Sequence, residues 1–470
     1  MGKVWYNWIK FLISGGVSVN IIIAGCGKVG ATLLRRLAAE GHDLTVVDLK
    51  KDVLETMAEN FDAMGVAGNC ASAKVLTEAG VKNAQLLIAL TGADEVNLLS
   101  CMTARGLNKD IRTIARIRDP EYADQAQNMR QMFNLSMVVN PEMQSAREMD
   151  RMLKLPGFLR REHFVKGLAQ IVELRIDDSS KLCDVSLMEM YRIVRCRVLV
   201  CTVVRDGQAI IPGGNFVLRA GDRIFVTAPT ANLAELTRNL GLQKKPVKKL
   251  LIGGGGKVTW YLASQMQKSG ADVCIIEKDP DRCRALAAAL PGVTVILGDC
   301  SDRTELENQG LDRCDAFLAM TGVDEMNMIS SLYAVSRGVG SVITKISRQG
   351  SAEMAGHLNL GSLICPRELS ADSVVHYVRA LENRSGAAMS VHSFADGQAQ
   401  AAEFHVEENT DNLGVPLKEL KLRPGILLAT IARGSRVEIP GGDSTMRPGD
   451  VVVVVTTGQD APRSLNEIFA

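Results

Sequence analysis

Short apolar runs and longer amphipathic segments alternate along the first 140 residues. In each amphipathic segment apolar residues recur every three or four positions, which is typical of a helix with one buried face. The predicted strands are 21–24, 44–47, 63–67, 86–89, 113–117 and 137–139, and the predicted helices are 29–40, 51–60, 95–105 and 120–131. Strands that alternate with helices over short connections predict a parallel sheet with helices on both faces.

The pattern changes beyond residue 140. Residues 142–153 carry apolar side chains on one side of a predicted helix, which we interpret as a crossover helix or a dimer helix. From about residue 165 the chain shows short strands separated by Gly and Pro, at 167–176, 197–205, 209–211 and 222–227. Clusters such as 211–214 (IPGG) are typical of turns. This part of the chain is therefore predicted to form a small α+β lobe.

The same order of segments returns later in the chain. Residues 21–30 (IIIAGCGKVG) return as 250–259 (LLIGGGGKVT), and residues 91–97 (TGADEVN) return as 321–327 (TGVDEMN). Further matches are 45–48 with 274–277, 68–70 with 298–300, 211–214 with 439–442, and 221–222 with 449–450. A nearly constant spacing of about 229 residues across these matches indicates a tandem duplication. We predict an α/β fold of two tandem repeats, each a Rossmann-type parallel-sheet lobe followed by a small α+β lobe.

The duplication also predicts the domain bounds. Residues 1–18 are expected to lie outside the fold, because the first predicted strand begins at about Val19; an interfacial membrane anchor is the alternative for this aromatic-rich segment. The predicted parts are a first N-lobe (19–141), a crossover helix with the first C-lobe (142–243), a second N-lobe (248–366), and a crossover helix with the second C-lobe (367–470). The lysine-rich residues 243–249 are interpreted as a solvated linker.

Composition excludes several classes of function. A net charge of +1 and an aromatic content of 4% give no indication of a nucleic-acid partner. The 11 cysteines form no C-x-x-C pair, so we expect reduced thiols rather than disulfides or a metal site. No run of about 18 apolar residues occurs, and the sequence therefore predicts no membrane-spanning helix.

The motif Gly25-x-Gly27-x-x-Gly30 carries the main chemical signal, because it lies between a predicted strand and a predicted helix. In that context it is typical of a dinucleotide site. Gly25 permits the tight turn, Gly27 lets the backbone approach a pyrophosphate, and Gly30 lets the helix pack closely on the strand. The N–H groups at the helix start face the anion. Asp48 ends the next strand, where an acid would hold the ribose hydroxyls and disfavour a 2′-phosphate.

Candidate ligand residues of each repeat fall at the carboxyl ends of the predicted strands, where open α/β sheets bind ligands. They are Gly25, Gly27, Asp48, Asn69, Thr91, Gly92 and Arg116 in the first repeat, and Gly254, Gly256, Glu277, Asp299, Thr321, Gly322 and Lys345 in the second. Lys28 and Lys257 are candidates for neutralising a phosphate. Thr91 and Thr321 are equally compatible with capping the helix that follows. Thr259 replaces the third glycine, so we expect looser helix–strand packing there and either a different mode of nucleotide binding or a different nucleotide.

No catalytic arrangement accompanies these two sites in the sequence. The six histidines have no matched partner between the repeats, and neither H-E-x-x-H nor G-x-S-x-G occurs. Two cofactor-type sites without a reaction centre indicate sensing rather than turnover, so we expect no enzymatic activity. Two alternatives are an NAD-dependent oxidoreductase with a degenerate second Rossmann domain and a nucleotide-binding scaffold unrelated to ions.

The duplicated unit closely resembles the RCK (regulator of potassium conductance) module over residues 19–470. Two such units in one chain are similar to the tandem-RCK regulatory subunits of Trk-type potassium uptake systems. Residues 25–29, Asp48, Thr91, Gly92 and Arg116 match the nucleotide-binding motif of that family, as do 254–258, Glu277 and Thr321. The resemblance thereby adds four residues to the candidate site: Cys26, Val29, Gly255 and Val258.

The resemblance implies a cytoplasmic protein that associates peripherally with the inner face of the cell membrane, beneath a potassium-translocating membrane subunit. It implies a homo-oligomer, either a dimer or a tetramer that forms an RCK ring. It also implies NAD(H) as the ligand, with ATP or ADP as further ligands, and a change of ring shape that gates the pore.

Overall fold

The computed structural model describes residues 18–123, 125–154, 160–242, 247–356, 358–381, 388–395, 398–458, 462 and 464–470. The expectations for residues 1–17 and for linker residues 243–246 concern parts of the chain outside this set. None of the helices in the described part of the chain combines the length and the apolar character needed to cross a bilayer.

The first N-lobe is a six-stranded parallel sheet covered by helices on both faces. Its strands are β1 (Asn20–Ala24), β2 (Asp43–Asp48), β3 (Ala63–Ala67), β4 (Leu86–Ala89), β5 (Arg112–Arg116) and β6 (Met137–Val139). Its helices are α1 (Lys28–Ala39), α2 (Lys51–Asn60), α3 (Ala73–Glu78), α4 (Asp94–Leu107), α5 (Pro120–Ala123) and α6 (Ala126–Met132). The strand order β3-β2-β1-β4-β5-β6 is that of a Rossmann fold, which binds ligands where the order reverses between β1 and β4.

The first crossover helix, α7 (Pro141–Lys154), leads into a C-lobe built on an antiparallel sheet. The strands are β7 (Arg160–Phe164), β8 (Ala169–Arg175), β9 (Leu199–Arg205), β10 (Gln208–Ile210) and β11 (Arg223–Pro229), in the order β10-β9-β11-β8-β7. Two helices complete the lobe, α8 (Leu187–Val194) and α9 (Thr230–Leu240), together with a 3₁₀ turn at Val165–Gly167.

The second N-lobe repeats the first. Its strands are β12 (Lys249–Gly253), β13 (Asp272–Glu277), β14 (Thr294–Leu297), β15 (Ala316–Ala319), β16 (Ser341–Lys345) and β17 (Ser362–Ile364). Its helices are α10 (Lys257–Lys268), α11 (Pro280–Ala289), α12 (Arg303–Asn308), α13 (Asp324–Ser336) and α14 (Gln349–Gly356). The sheet order β14-β13-β12-β15-β16-β17 is again that of a Rossmann fold.

The second crossover helix, α15 (Pro366–Leu381), precedes the second C-lobe. The strands are β18 (Ala388–Phe394), β19 (Ala399–His405), β20 (Ile426–Arg433), β21 (Arg436–Glu438) and β22 (Val451–Thr457), in the order β18-β19-β22-β20-β21. Short 3₁₀ turns at Leu417–Glu419 and Leu465–Ile468 stand where the first C-lobe has α8 and α9. The predicted α/β fold of two tandem repeats is confirmed.

Each crossover helix packs against the N-lobe of the other repeat. From α7, Ala146, Met149 and Leu153 are buried in the core of the second N-lobe, beneath α10. From α15, Ala371, Val374, Val375 and Val378 are buried in the core of the first N-lobe, beneath α1. The two repeats are therefore interlocked through shared apolar cores, and burial of these side chains makes the interlock stabilising.

The two C-lobe sheets also pack face to face, with the Phe225 and Phe394 rings 4.9 Å apart. Each C-lobe contains the same ion pair, in which an arginine that is still partly exposed binds a buried aspartate. Arg205 binds Asp222 through two hydrogen bonds of 2.8 and 2.7 Å, and Arg433 binds Asp450 through two of 2.7 Å. Burial opposes ionisation of Asp222, but the hydrogen bonds from Arg205 and from the backbone outweigh it and lower the pKa of this carboxyl.

Candidate functional site

The first glycine turn connects β1 to α1 at the switch point of the sheet. Gly25 has a left-handed φ of 95°, and its N–H donates to the Val47 carbonyl at 2.8 Å. A Cβ atom on Gly30 would lie 2.2 Å from the Gly25 carbonyl oxygen, so α1 packs on the turn more closely than any side chain allows. Gly27, which precedes α1, has open space around it. The turn therefore leaves the first N–H groups of α1 accessible to an anion.

Asp48 fixes the path of this turn. One carboxylate oxygen accepts a hydrogen bond from the Cys26 N–H at 2.8 Å, and the other accepts one from the Lys50 N–H at 3.0 Å. The side chain is partly exposed, and each of its oxygens keeps a lone pair that can accept a further hydrogen bond. Burial, with a smaller effect of the Asp48 charge, raises the pKa of the Cys26 thiol to about 11, so this cysteine stays protonated.

A buried asparagine organises the end of β4. The Asn97 side chain accepts hydrogen bonds from the N–H and the hydroxyl of Thr91, at 2.7 and 2.8 Å, and donates to the Arg116 carbonyl at 2.9 Å. The Arg116 guanidinium in turn donates to the Thr91 carbonyl at 2.9 Å. Helix α4 begins at Asp94 with Ala93 at its N-cap, so the N-cap alternative for Thr91 is wrong.

The second repeat contains the same network. Asn327 accepts hydrogen bonds from the N–H and hydroxyl of Thr321 at 2.8 and 2.7 Å and donates to the Lys345 carbonyl at 2.9 Å. Val323 is the N-cap of α13, so the capping alternative for Thr321 is wrong as well. Sequence reasoning missed both asparagines as positioning residues, although the repeated T-G-x-D-E-x-N pattern contained the signal.

The second glycine turn keeps the backbone of the first with different side chains. Gly254 has a φ of 101°, and the Gly255 N–H donates to Glu277 Oε2 at 2.6 Å. A Cβ on Gly255 would lie 3.0 Å from that oxygen. Glycine at this position, where the first turn has Cys26, therefore leaves room for a glutamate side chain where the first repeat has the shorter Asp48. Glu277 is buried, with 7% of its surface exposed, and offers less of its carboxylate to a ligand than Asp48 does.

Thr259 occupies the position of Gly30 without opening the turn. Its buried hydroxyl donates to the Gly254 carbonyl at 2.6 Å, and α10 begins directly after Gly256, as α1 begins directly after Gly27. The expected looser packing is therefore replaced by a hydrogen bond between helix and turn.

The other candidates lie around these two turns with unequal access to a ligand. Lys28 and Lys257 are exposed at the starts of α1 and α10. Val29 and Val258 are buried in the apolar cores, so only their backbone N–H groups face outward. The backbone at Gly92 and Gly256 has open space, as it does at Gly322.

Asn69 and Asp299 form turns directly beyond β3 and β14. Each accepts a hydrogen bond at 2.9 Å from an N–H two residues later, that of Ala71 or Ser301. The hydrogen bonds from Ser301 lower the pKa of Asp299, which keeps this carboxyl ionised. Both residues follow edge strands of their sheets, next to the strands that end at Asp48 and Glu277.

Two partly buried cations end β5 and β16. Burial lowers the pKa of Lys345 to about 8, and its ammonium donates to the Met320 carbonyl at 2.9 Å. Burial, and then the neighbouring Arg118, lower the pKa of Arg116. A cation held in a poorly solvated position gains from an anionic ligand, because the ligand restores part of the lost solvation.

The second site lies next to the interface between the N-lobes. The Lys257 ammonium contacts the Asp119 carboxylate of the first N-lobe at 3.2 Å. Tyr261, on α10, donates to the Arg118 carbonyl at 3.1 Å and accepts from the Asn140 side chain at 3.0 Å. In the part of the chain that the structure describes, no group of three or more metal-ligating side chains forms. Glycine turns, accessible N–H groups, an acid and nearby cations together fit a nucleotide.

Comparisons with known proteins agree with this architecture. The TrkA-N domain model matches residues 21–141 and 250–366, and the TrkA-C domain model matches residues 171–241 and 401–468. The Trk system potassium uptake protein TrkA of Haemophilus influenzae is 30% identical over 459 residues, covering 96% of this chain and 98% of that protein. A TrkA homolog of Archaeoglobus fulgidus is 30% identical over 452 residues, covering 96% of this chain and all of the relative.

Solved structures show the same fold. The crystal structure of the GsuK RCK domain superposes with a TM-score of 0.62 at 19% identity, covering 94% of this chain and 93% of that one. The GsuK channel bound to NAD gives a TM-score of 0.61 at 18% identity, covering 94% of this chain and 77% of that one.

The fold and the paired sites define a tandem RCK protein, with two Rossmann-type TrkA-N lobes and two TrkA-C lobes. The chain belongs to the TrkA family of Trk system potassium uptake proteins. The resemblance inferred from the sequence is thus confirmed, and with it a role in potassium transport. This family consists of potassium uptake proteins and not of enzymes.

Proposed function

We propose that the chain is the nucleotide-sensing regulatory subunit of a Trk-type potassium uptake system. It binds NAD(H), or ADP and ATP, at the two glycine turns and controls a TrkH/TrkG-like membrane subunit from the cytoplasmic face of the membrane. One observation carries the proposal: each N-lobe has a glycine turn at the switch point of its sheet, and each N-lobe is packed against the crossover helix of the other repeat. Ligand binding at one site is therefore expected to affect the structure of both repeats.

The proposed ligand contacts follow from the geometry. The N–H groups at the starts of α1 and α10, with Lys28 and Lys257, receive the phosphates, and Asp48 and Glu277 receive the ribose hydroxyls. Thr91 and Thr321, which follow β4 and β15, face the rest of the ligand. So do the cations that end β5 and β16, Arg116 and Lys345. The solved GsuK structures with NAD and with ADP support these ligand classes.

Energetics favour several sites acting together. Moving a two-state equilibrium from 1:99 to 99:1 requires about 5.5 kcal/mol of differential binding. Typical coupling between two sites is about 1–3 kcal/mol. A single site is therefore marginal as a switch, whereas several sites in one ring are sufficient. Duplication supplies two sites per chain, and assembly of dimers or tetramers multiplies them.

Matched apolar residues on the two N-lobes support such an assembly. On α4, Leu99 and Met102 are exposed one helical turn apart, and on α13 their counterparts Ile329 and Leu332 are exposed in the same way. Large apolar side chains grouped on a surface are typical of an interface. We assign these two faces to contacts between copies of this chain in the ring.

Reconstitution tests the proposal. The full chain is added to vesicles that contain a TrkH-type subunit, and potassium flux is measured with NADH, ADP or ATP. We expect flux to change with at least one nucleotide and this change to be lost in Asp48→Ala. The control is Glu55→Ala, which replaces an exposed acid on α2 and should behave as the wild type does. Potassium flux that is unchanged by all three nucleotides contradicts the proposal. Sustained NADH consumption that depends on Asp48 would indicate an enzyme instead.

A further inference from the structure

The loops that follow β5 and β16 occupy equivalent places but carry opposite charges. Buried Asp94 accepts a hydrogen bond from the Asp119 N–H at 2.8 Å, and buried Asp324 accepts one from the Arg348 N–H at 2.8 Å. Asp119 and Arg348 are therefore structural counterparts. An acid stands in the first N-lobe where a base stands in the second.

Asp119 reaches across the interface to the second nucleotide site. Its carboxylate accepts a hydrogen bond from the Lys257 ammonium at 3.2 Å, and Lys257 is the first residue of α10, directly after the glycine turn. The Tyr261 hydroxyl, one turn further along α10, donates a hydrogen bond to the Arg118 carbonyl at 3.1 Å. These contacts keep the Asp119 carboxylate beside the start of α10, where backbone N–H groups are available to an anion.

The first site is surrounded differently. The side chain of Arg348 is turned to Glu325 of its own lobe, with two hydrogen bonds of 2.7 Å. Within the described ranges no carboxylate forms an ion pair with Lys28. Among the described residues, Lys28 therefore lacks the ion-paired carboxylate that Asp119 provides at Lys257.

We propose that Asp119 competes with the anionic part of the ligand at the second site, so that the two sites differ in the phosphate charge they accept. This inference rests on the proposed nucleotide binding. A phosphate that enters the second turn either displaces Asp119 from Lys257 or meets its negative charge at short range. The second site therefore disfavours highly charged nucleotides relative to the first site, where Lys28 forms no such ion pair among the described residues.

The competition also connects ligand occupancy to the arrangement of the N-lobes. Asp119 and Lys257 belong to different repeats, and their contact is one of the polar links between them. A phosphate that takes over Lys257 removes this link. Binding at the second site therefore loosens the first N-lobe from α10, while binding at the first site leaves the link intact.

Calorimetry on the full chain tests the inference with a series of increasing charge: adenosine, AMP, ADP and ATP. The binding event that Glu277→Ala removes is assigned to the second site. The test variant is Asp119→Asn, which keeps the oxygen that accepts from the Glu121 N–H at 3.1 Å. The control is Asp178→Asn, the same charge change at an exposed position in the first C-lobe.

We expect Asp119→Asn to raise second-site affinity for ADP and ATP about five-fold, the size typical of a partly exposed charge, and to leave adenosine unchanged. In a Lys257→Gln background the gain should shrink, because the two side chains act as a pair. An equal gain for adenosine, an equal gain in Asp178→Asn, or no second-site gain for ATP overturns the inference. If the wild type binds no nucleotide at all, the proposed function fails; if it binds ATP at the first site only and Asp119→Asn adds nothing, only this inference fails.

Discussion

The guanidinium of Arg379, near the end of α15, binds both carboxylate oxygens of Glu40, directly after α1, at N–O distances of 2.6 and 3.3 Å. The two residues belong to different repeats, and only 19% and 23% of their side-chain surfaces are exposed. Arg36 of α1 forms a second ion pair with Asp372 of α15 at 2.5 Å. The second crossover helix is thus joined to the first N-lobe by charge as well as by apolar packing.

Removing this arginine should weaken the interlock. Arg379→Ala leaves the Glu40 carboxylate largely buried without its main partner, and we expect the free energy of unfolding to fall by about 1–3 kcal/mol. Urea denaturation measures the change. Arg436→Ala, at an exposed position on β21, is the control and should change stability by less than about 0.5 kcal/mol. Equal stability of the two variants would show that the ion pair contributes nothing.

The same pair predicts a dependence on pH. Burial opposes ionisation of Glu40, but His42, whose Nε2 lies 3.7 Å from the carboxylate, and the hydrogen bonds from Arg379 outweigh it and lower its pKa from 4.5. A carboxyl whose pKa is lowered by folding stabilises the folded state above its unfolded pKa and loses that contribution as pH falls through the folded pKa. The stability difference between wild type and Arg379→Ala should therefore shrink below about pH 4.5. A difference that is constant from neutral to acidic pH contradicts this assignment.

Asn97 should matter for stability and for ligand binding. Asn97→Ala leaves the partly buried N–H of Thr91 without an acceptor and removes the hydrogen bond to the Arg116 carbonyl at the end of β5. We expect the free energy of unfolding to fall by about 2–3 kcal/mol. First-site affinity for ADP should fall about tenfold, because Thr91 and Arg116 lose their common support. Thermal unfolding and calorimetry measure the two effects. Asn60→Ala, at the exposed end of α2, provides the control. If both variants have the same stability and the same ADP affinity, Asn97 does not support the site.

The close approach of α1 to the first turn gives a contrast between two glycines. In Gly30→Ala the new Cβ lies 2.2 Å from the Gly25 carbonyl oxygen, so the helix must move. We expect the free energy of unfolding to fall by about 2–4 kcal/mol and nucleotide binding at the first site to be lost. Gly106→Ala adds a Cβ to α4 in open space and should raise stability by up to about 1 kcal/mol. Tolerance of both substitutions would mean that the turn is looser than described.

The parallel sheets were predictable because strands buried on both faces are continuous apolar runs. The predicted strands 63–67, 86–89 and 137–139 coincide with β3, β4 and β6, and the other three strands predicted for the first N-lobe differ by one residue at their ends. Duplication strengthened each assignment, since a chance pattern does not recur at a constant spacing. Short elements without a full period were missed, among them α3, with six residues, and β7. The sequence also joined α5 and α6 into one helix over 120–131, which is wrong.

Other features depend on the path of the chain in three dimensions. Helices α1 and α10 present similar apolar faces, so the pattern did not show that each is covered by the crossover helix of the other repeat. The glycines were predicted as site residues from the motif, but the pairing of Gly255 with the longer Glu277 depends on a loop–strand distance. Thr259 was expected to loosen the packing of the helix on the strand; its hydroxyl instead donates a hydrogen bond to the Gly254 carbonyl at 2.6 Å.

Binding of adenine nucleotides to the purified full chain tests the central claim most directly. Titration calorimetry with NADH, ADP and ATP should show binding without consumption of ligand, and Asp48→Ala should weaken the first site about ten- to hundredfold, because hydrogen bonds to a charged acceptor are lost. Glu55→Ala should bind as the wild type does. If no adenine nucleotide binds, or if Asp48→Ala binds with unchanged affinity at both sites, the account of paired sensing sites is contradicted.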